Sequence, residues 1–104
     1  MIEVRNYPYD VCDFCSSAEP TWVFPANSYH DRLLNVQSIN NWLACDECAT
    51  LINQDRWGKL AERSLRNPAV AALVNRATRK AILDNAVRMH KDFQKHRTGE
   101  PYRR

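Results

Sequence analysis

Two cysteine pairs of identical spacing, Cys12-Asp13-Phe14-Cys15 and Cys45-Asp46-Glu47-Cys48, constrain this chain more than any other feature. They are its only four cysteines, and twenty-nine residues separate the pairs. A CxxC loop can set two sulfurs on one ion while its backbone amides stabilise their charge. Two such loops complete a tetrahedral shell. The spacing therefore predicts one structural Zn²⁺ held by Cys12, Cys15, Cys45 and Cys48. An all-sulfur tetrahedron also accepts iron, so the ion's identity stays open between these two. A thioredoxin-like redox pair would leave the second CxxC unexplained, and buried free cysteines would leave the repeated spacing unexplained. His30 lies between the pairs but is not needed as a further donor.

A chain of 104 residues has little interior to bury, so a metal-stapled single core is a physically sensible solution. Only two glycines are present, which argues against a glycine-lined nucleotide loop. The first residues, "MIEVRNYPYD", contain no apolar secretory core, and the longest apolar run is "AVAALV" at 69–74. A cytoplasmic location with no membrane partner is expected. In that reducing compartment, paired CxxC motifs favour metal over disulfides.

The formal charge of +3 conceals an asymmetry. Residues 1–50 carry two Arg/Lys against seven Asp/Glu, and residues 51–104 carry thirteen against five. Four thiolates on one Zn²⁺ would make the first half still more acidic.

Strand-favouring residues in 1–10 and 20–30 (Val4, Tyr7, Tyr9, Trp22, Val23, Phe24, Tyr29), broken by Pro8, Pro20 and Pro25, predict short irregular strands. The polar connection that follows can form a brief strand pair or a turn through Leu33, Leu34, Val36 and Ile39. From Cys45 the pattern becomes helical, with Cys48, Leu51 and Ile52 on one face and Asp46 and Glu47 in the first turn. Asp55 reads as the N-cap of a second helix carrying Trp57, Leu60, Ala61 and Leu65. Asn67-Pro68 reads as a third start. With no Gly or Pro before Gly99, this last helix is expected to run for about 30 residues, or ~45 Å.

The order knuckle, hairpin region, then a CxxC opening a helix resembles a treble-clef zinc finger over Tyr9 to Asn53, with Ser16 where that family usually has glycine after its first pair. "CDFC", "WVFP" and "WLACDEC" also resemble small actinobacterial and actinophage zinc proteins of unassigned function. The expected fold class is a small zinc-stabilised α+β protein: a four-cysteine module at 1–53, a helical region at 54–98 and a flexible basic tail at 99–104.

Some treble clefs are HNH nucleases. Asn40 lies five residues before Cys45 as that pattern asks, but the Asp-His step is reversed in His30-Asp31, and Ala49 stands where Asn or His is required. His90 and His96, six residues apart, would diverge by about 120° on one helix. The chain is therefore expected not to be an enzyme and to have no small-molecule substrate, with solvated histidines; a degenerate HNH-type hydrolase is an alternative.

Residues 76–104 carry nine Arg/Lys against three acids. Arg76, Arg79, Lys80, Arg88, Lys91 and Lys95 would share about half of a helix circumference, a stripe suited to phosphates or to an acidic protein. No aromatic is interleaved for base stacking. Apolar residues form two sets: Val70, Leu73, Val74, Ala77 and Ala81, then Ile82, Ala86, Met89 and Phe93, rotated by about 130°. The first set is expected to pack on the zinc module. The second, spaced like a heptad seam, would then meet a protein partner or a second copy, with Phe93 as the anchor. The alternative is a bend near 78–81 that folds it back onto Trp57 and Leu60. The expected role is a non-enzymatic adaptor or regulator that binds a macromolecule through its helical half, with DNA or RNA binding by the basic helix as the alternative.

Overall fold

The computed structural model describes residues 2–3, 11–31, 36–38 and 41–104. Their elements run in the order β1 (Ile2–Glu3), β2 (Trp22–Phe24), β3 (Tyr29–Asp31), β4 (Val36–Ser38), β5 (Trp42–Ala44), α1 (Asp46–Asn53), α2 (Trp57–Ser64), α3 (Pro68–Ala71), α4 (Arg79–His96) and β6 (Tyr102–Arg103). This is a small α+β fold. The expected strand residues Val4, Tyr7 and Tyr9, and Leu33, Leu34 and Ile39 of the connection, lie outside the described residues.

The central sheet has the order β5-β2-β6 and is antiparallel throughout. Pro20 and Pro25 bracket β2, so its three residues are all the ladder the local sequence permits. Its partner β5 is buried along its whole length, with Ala44 wholly inaccessible. A second sheet, β1-β4-β3, pairs β1 parallel and β3 antiparallel to β4.

Each helix start has a local cause. Cys45 takes extended backbone at the N-cap of α1, and Asp46 and Glu47 fill the first turn, where carboxylates suit the dipole. Asp55 adopts the left-handed region at φ 54° and ends α1's turn, so the N-cap of α2 is Arg56 rather than the expected Asp55. Asn67 caps α3 as expected, accepting from Ala69 N–H at 2.9 Å with Pro68 behind it.

The expected 30-residue helix is two helices. α3 ends at Ala71, and α4 begins only at Arg79. The intervening segment is held by its own polar side chains: Asn75 Oδ1 accepts from the Ala77 and Thr78 amides at 2.8 and 3.1 Å, and the Thr78 hydroxyl donates to Leu73 O at 2.7 Å. Asn and Thr offer the backbone these alternatives to helical bonds, so no Gly or Pro is required.

The break reverses the packing expected of a straight helix and gives the alternative, a bend near 78–81 that folds Phe93 back. Leu73 is 67% exposed, and Ala77 and Ala81 are also exposed, whereas Phe93 on the second stripe is fully buried. α4 turns back onto α2, which carries the buried Leu60. Cys12, Phe14, Trp42, Cys48, Leu60 and Phe93 thus belong to one core, continuous across residue 53. Around Phe93 the rings of Trp42, Phe14 and Phe24 lie 4.9, 5.3 and 5.9 Å away between centroids.

The expected loose tail is a strand. β6 pairs with β2, Arg104 N–H donates to Thr21 O at 2.9 Å, and the Arg103 guanidinium stacks over Trp22 at 5.0 Å. Among the described residues no helix is long and apolar enough to cross a membrane.

Candidate metal centre

The first cysteine pair sits in a tight turn. Ser16 N–H donates to Cys12 O at 2.8 Å, and Cys12 N–H donates to Ser17 O at 2.9 Å. Closing it requires Ser16 to adopt φ 68°, the left-handed conformation that a glycine would adopt with less strain. Its hydroxyl accepts from Asn67 Nδ2 at 2.9 Å, tying the turn to the cap of α3.

The turn is fastened to β5 on both sides of one residue. Asp13 N–H donates to Leu43 O at 2.8 Å, and Leu43 N–H donates to Asp13 Oδ2 at 2.6 Å. Cys45 lies two residues beyond Leu43, so this clamp sets the second pair against the first. Cys45 as N-cap and Cys48 one turn in place both thiols at the positive end of the α1 dipole, which favours thiolates.

All four sulfurs lie within 4.8 Å of one another, and Cys15 Sγ is 3.7 Å from Cys45 Sγ. A tetrahedral ion with metal–sulfur bonds of ~2.3 Å needs sulfurs ~3.8 Å apart. The donor set fits one such ion. It is the only such cluster among the described residues, and all four cysteines are free of disulfides.

The sulfurs compete for protons as a group. The neighbouring Cys12 thiol holds Cys15 well below the ordinary thiol range and brings Cys45 to about 5, while the contact with Cys15 pushes Cys12 up and the contact with Cys12, then those with Cys15 and Cys45, push Cys48 up. Four thiols this close cannot all ionise alone, and a divalent cation is what permits it.

Arg63 on α2 is part of this site and was not among the expected residues. Its Nε donates to Cys48 Sγ at 3.3 Å, and one terminal nitrogen lies 3.6 Å from both Cys15 Sγ and Cys45 Sγ. The other terminal nitrogen pairs with Glu47. Burial alone would lower the guanidinium pKa, but the sulfur contacts outweigh it and hold it above its ordinary range. No sequence spacing links Arg63 to the cysteines, because it arrives from a separate helix.

The other expected residues are spread more widely. Arg76 lies in the turn before α4, and Arg79, Lys80, Lys91 and Lys95 are exposed on it, with Arg88 partly buried. Lys80 pairs with Asp84 at 2.7 Å, and Arg88 and Lys95 pair with Asp92 at 3.1 and 3.8 Å. Part of the basic stripe is thus neutralised within the helix.

Ile82, Ala86 and Met89 line a groove of about 370 Å³ together with Phe14, Val70 and Leu73. Phe93 is not in it; the aromatic core takes it instead.

The histidines do not converge. His30 is exposed on β3, and His96 stacks on Tyr29 with centroids 4.0 Å apart. His90, expected to be solvated, is 5% exposed and meets the ring of Phe14 edge-on at 5.1 Å. Burial pushes it down to about 4, so it is neutral at pH 7. Ala49 is buried in the core, and Asn40 lies outside the described residues. No protein-family model, no curated protein and no solved structure matches this chain.

Proposed function

We propose that this protein is a non-enzymatic adaptor built on a structural Zn²⁺, with a treble-clef-like arrangement of its first half and a macromolecular contact made by its helical half. The treble-clef reading is supported by a cysteine turn, the antiparallel β2–β5 pair and a second cysteine pair opening α1. Zinc fits four thiolates at this separation and supplies folding energy that a small core lacks.

The observation that carries the adaptor reading is the groove between α3, α4 and the cysteine turn. It is lined mainly by apolar side chains, and the 67%-exposed Leu73 stands in its wall. A protein partner presenting an apolar side chain would remove this surface from water. The exposed Arg79, Lys80, Lys91 and Lys95 favour a second reading, contact with DNA or RNA phosphates, and Asp84 and Asp92 weaken it.

Affinity capture from native extract, with and without nuclease, separates the two. Under the adaptor reading a discrete partner survives nuclease, is lost with Leu73→Asp and is retained with Lys91→Glu/Lys95→Glu. Capture that nuclease abolishes and that the lysine variant loses supports nucleic-acid binding instead.

A further inference from the structure

Four thiolates around one divalent cation leave an uncompensated charge of about −2. Here that charge would sit among side chains that exclude water: Cys12, Cys15 and Cys48 are 1%, 3% and 0% exposed. Buried net charge is costly unless something of opposite sign meets it. The dipole of α1 contributes at Cys45 and Cys48, but it is only partial. The one full positive charge that touches sulfur among the described residues is Arg63.

We infer that Arg63 is the dedicated counter-cation of the metal–thiolate centre, and that its N–H···S contacts set the nucleophilicity of the cysteines and the rate at which they release their ion. The inference rests on the zinc reading above. It goes beyond that reading by assigning control of the site to a residue that does not bind the metal.

The geometry is specific to a guanidinium. One planar fork reaches Cys48 through Nε and both Cys15 and Cys45 through a single terminal nitrogen, so it bridges the two CxxC pairs. Glu47 holds the third nitrogen and fixes the fork's orientation. The side chain is 12% exposed, which shields these contacts from competing water. A lysine ammonium would bring the same charge as a single point and could not span three sulfurs.

Each N–H···S contact draws electron density from the sulfur it meets. Cys45 is the one cysteine of intermediate exposure, the other three being buried, so alkylation is followed at this residue. With iodoacetamide, the Cys45 sulfur forms a bond to carbon, iodide leaves, and the metal retains three thiolates. Arg63 slows that reaction by making the sulfur a poorer nucleophile.

The test compares wild type, Arg63→Met, Arg63→Lys and Glu47→Gln, each first counted for zinc by native mass spectrometry. Alkylation at Cys45 is followed by peptide mapping, and zinc release by a chromogenic chelator. Arg63→Met should accelerate both by ~10-fold or more, the scale typical of groups that support metal ligands. Arg63→Lys should fall between, and Glu47→Gln should show a smaller acceleration. In the cobalt-substituted proteins, the sulfur-to-metal charge-transfer band should move to lower energy in Arg63→Met, a change that mere loosening of α2 does not produce.

A folded, zinc-loaded Arg63→Met with wild-type alkylation, release and band energy overturns the inference. Should the methionine variant not fold, Arg63→Lys decides: wild-type behaviour in all three readouts overturns it equally. A wild type that purifies without metal defeats the zinc reading itself and this inference with it, and the zinc count detects that before any variant is compared.

Discussion

Replacing Phe93 by alanine tests how α4 is joined to the rest of the molecule. Phe93 is fully buried, with ring centroids of Trp42, Phe14 and Phe24 between 4.9 and 5.9 Å away. Truncating a phenylalanine in such a site removes its transfer energy and leaves a cavity, together about 3–5 kcal/mol. The lost ring-to-ring contacts place this position in the upper part of that range. Small domains are stable by only about 5–15 kcal/mol, so the variant should remain folded only when loaded with metal. At the specific unfolding entropy of a chain this size, the melting temperature should fall by about 15–25 °C. Calorimetry on the zinc-loaded proteins measures the change, and light scattering measures mass. Phe14 lies between Cys12 and Cys15 and touches Phe93, so zinc release should also quicken. A loss below about 1 kcal/mol, accompanied by a wild-type dimer becoming a folded monomer, would refute the core assignment and restore Phe93 as an interface anchor.

His90 and Asp46 give two further expectations. Burial holds His90 at about 4 against an ordinary 6.5, so in that window the unfolded chain binds a proton that the folded chain refuses, and stability falls as pH drops from 6.5 toward 4. His90→Leu should flatten this part of the stability–pH curve by at most about 3 kcal/mol, measured by denaturant titration at several pH values. Asp46 Oδ1 accepts from Thr21 Oγ1 at 2.7 Å, Trp22 Nε1 at 2.8 Å and Arg103 at 3.1 Å, and these contacts, the Thr21 hydroxyl foremost, lower its pKa. Asp46→Ala should release β6, seen as faster amide hydrogen exchange at Arg104 and a changed Trp22 fluorescence, while zinc stoichiometry stays at one.

The four-cysteine cluster, the helix opening at the second cysteine pair and the Asn67-Pro68 cap were legible in the sequence because each is a local chemical rule written in adjacent residues. Ser16 stands where the resemblance to treble-clef knuckles leads one to expect glycine, but only the backbone shows that it carries the left-handed angle regardless. The break between α3 and α4 was legible only as an alternative, a bend near 78–81, because Asn75 and Thr78 are weaker punctuation than Gly or Pro, effective here through their combined hydrogen bonds. The straight-helix reading misplaced both apolar stripes, since their relative rotation holds only for a straight helix, whereas the alternative of a bend near 78–81 places Phe93 as observed. β6 was hidden outright, for a different reason. Tyr102 and Arg103 form a strand because β2 offers an open edge and Asp46 and Trp22 receive Arg103, and no property of the terminal residues alone announces that. Arg63 lies beyond local reading for the same reason, since a guanidinium finds three sulfurs only after α2 has folded against α1.

The central claim is that one zinc ion, held by Cys12, Cys15, Cys45 and Cys48, organises this fold. X-ray absorption at the zinc edge on protein purified without added metal tests it most directly. One zinc per chain in a single shell of four sulfurs at ~2.3 Å is expected, with loss of cooperative unfolding when Cys12 or Cys48 becomes serine. A folded protein carrying no metal and four reactive thiols, or a shell containing nitrogen or oxygen, would contradict it.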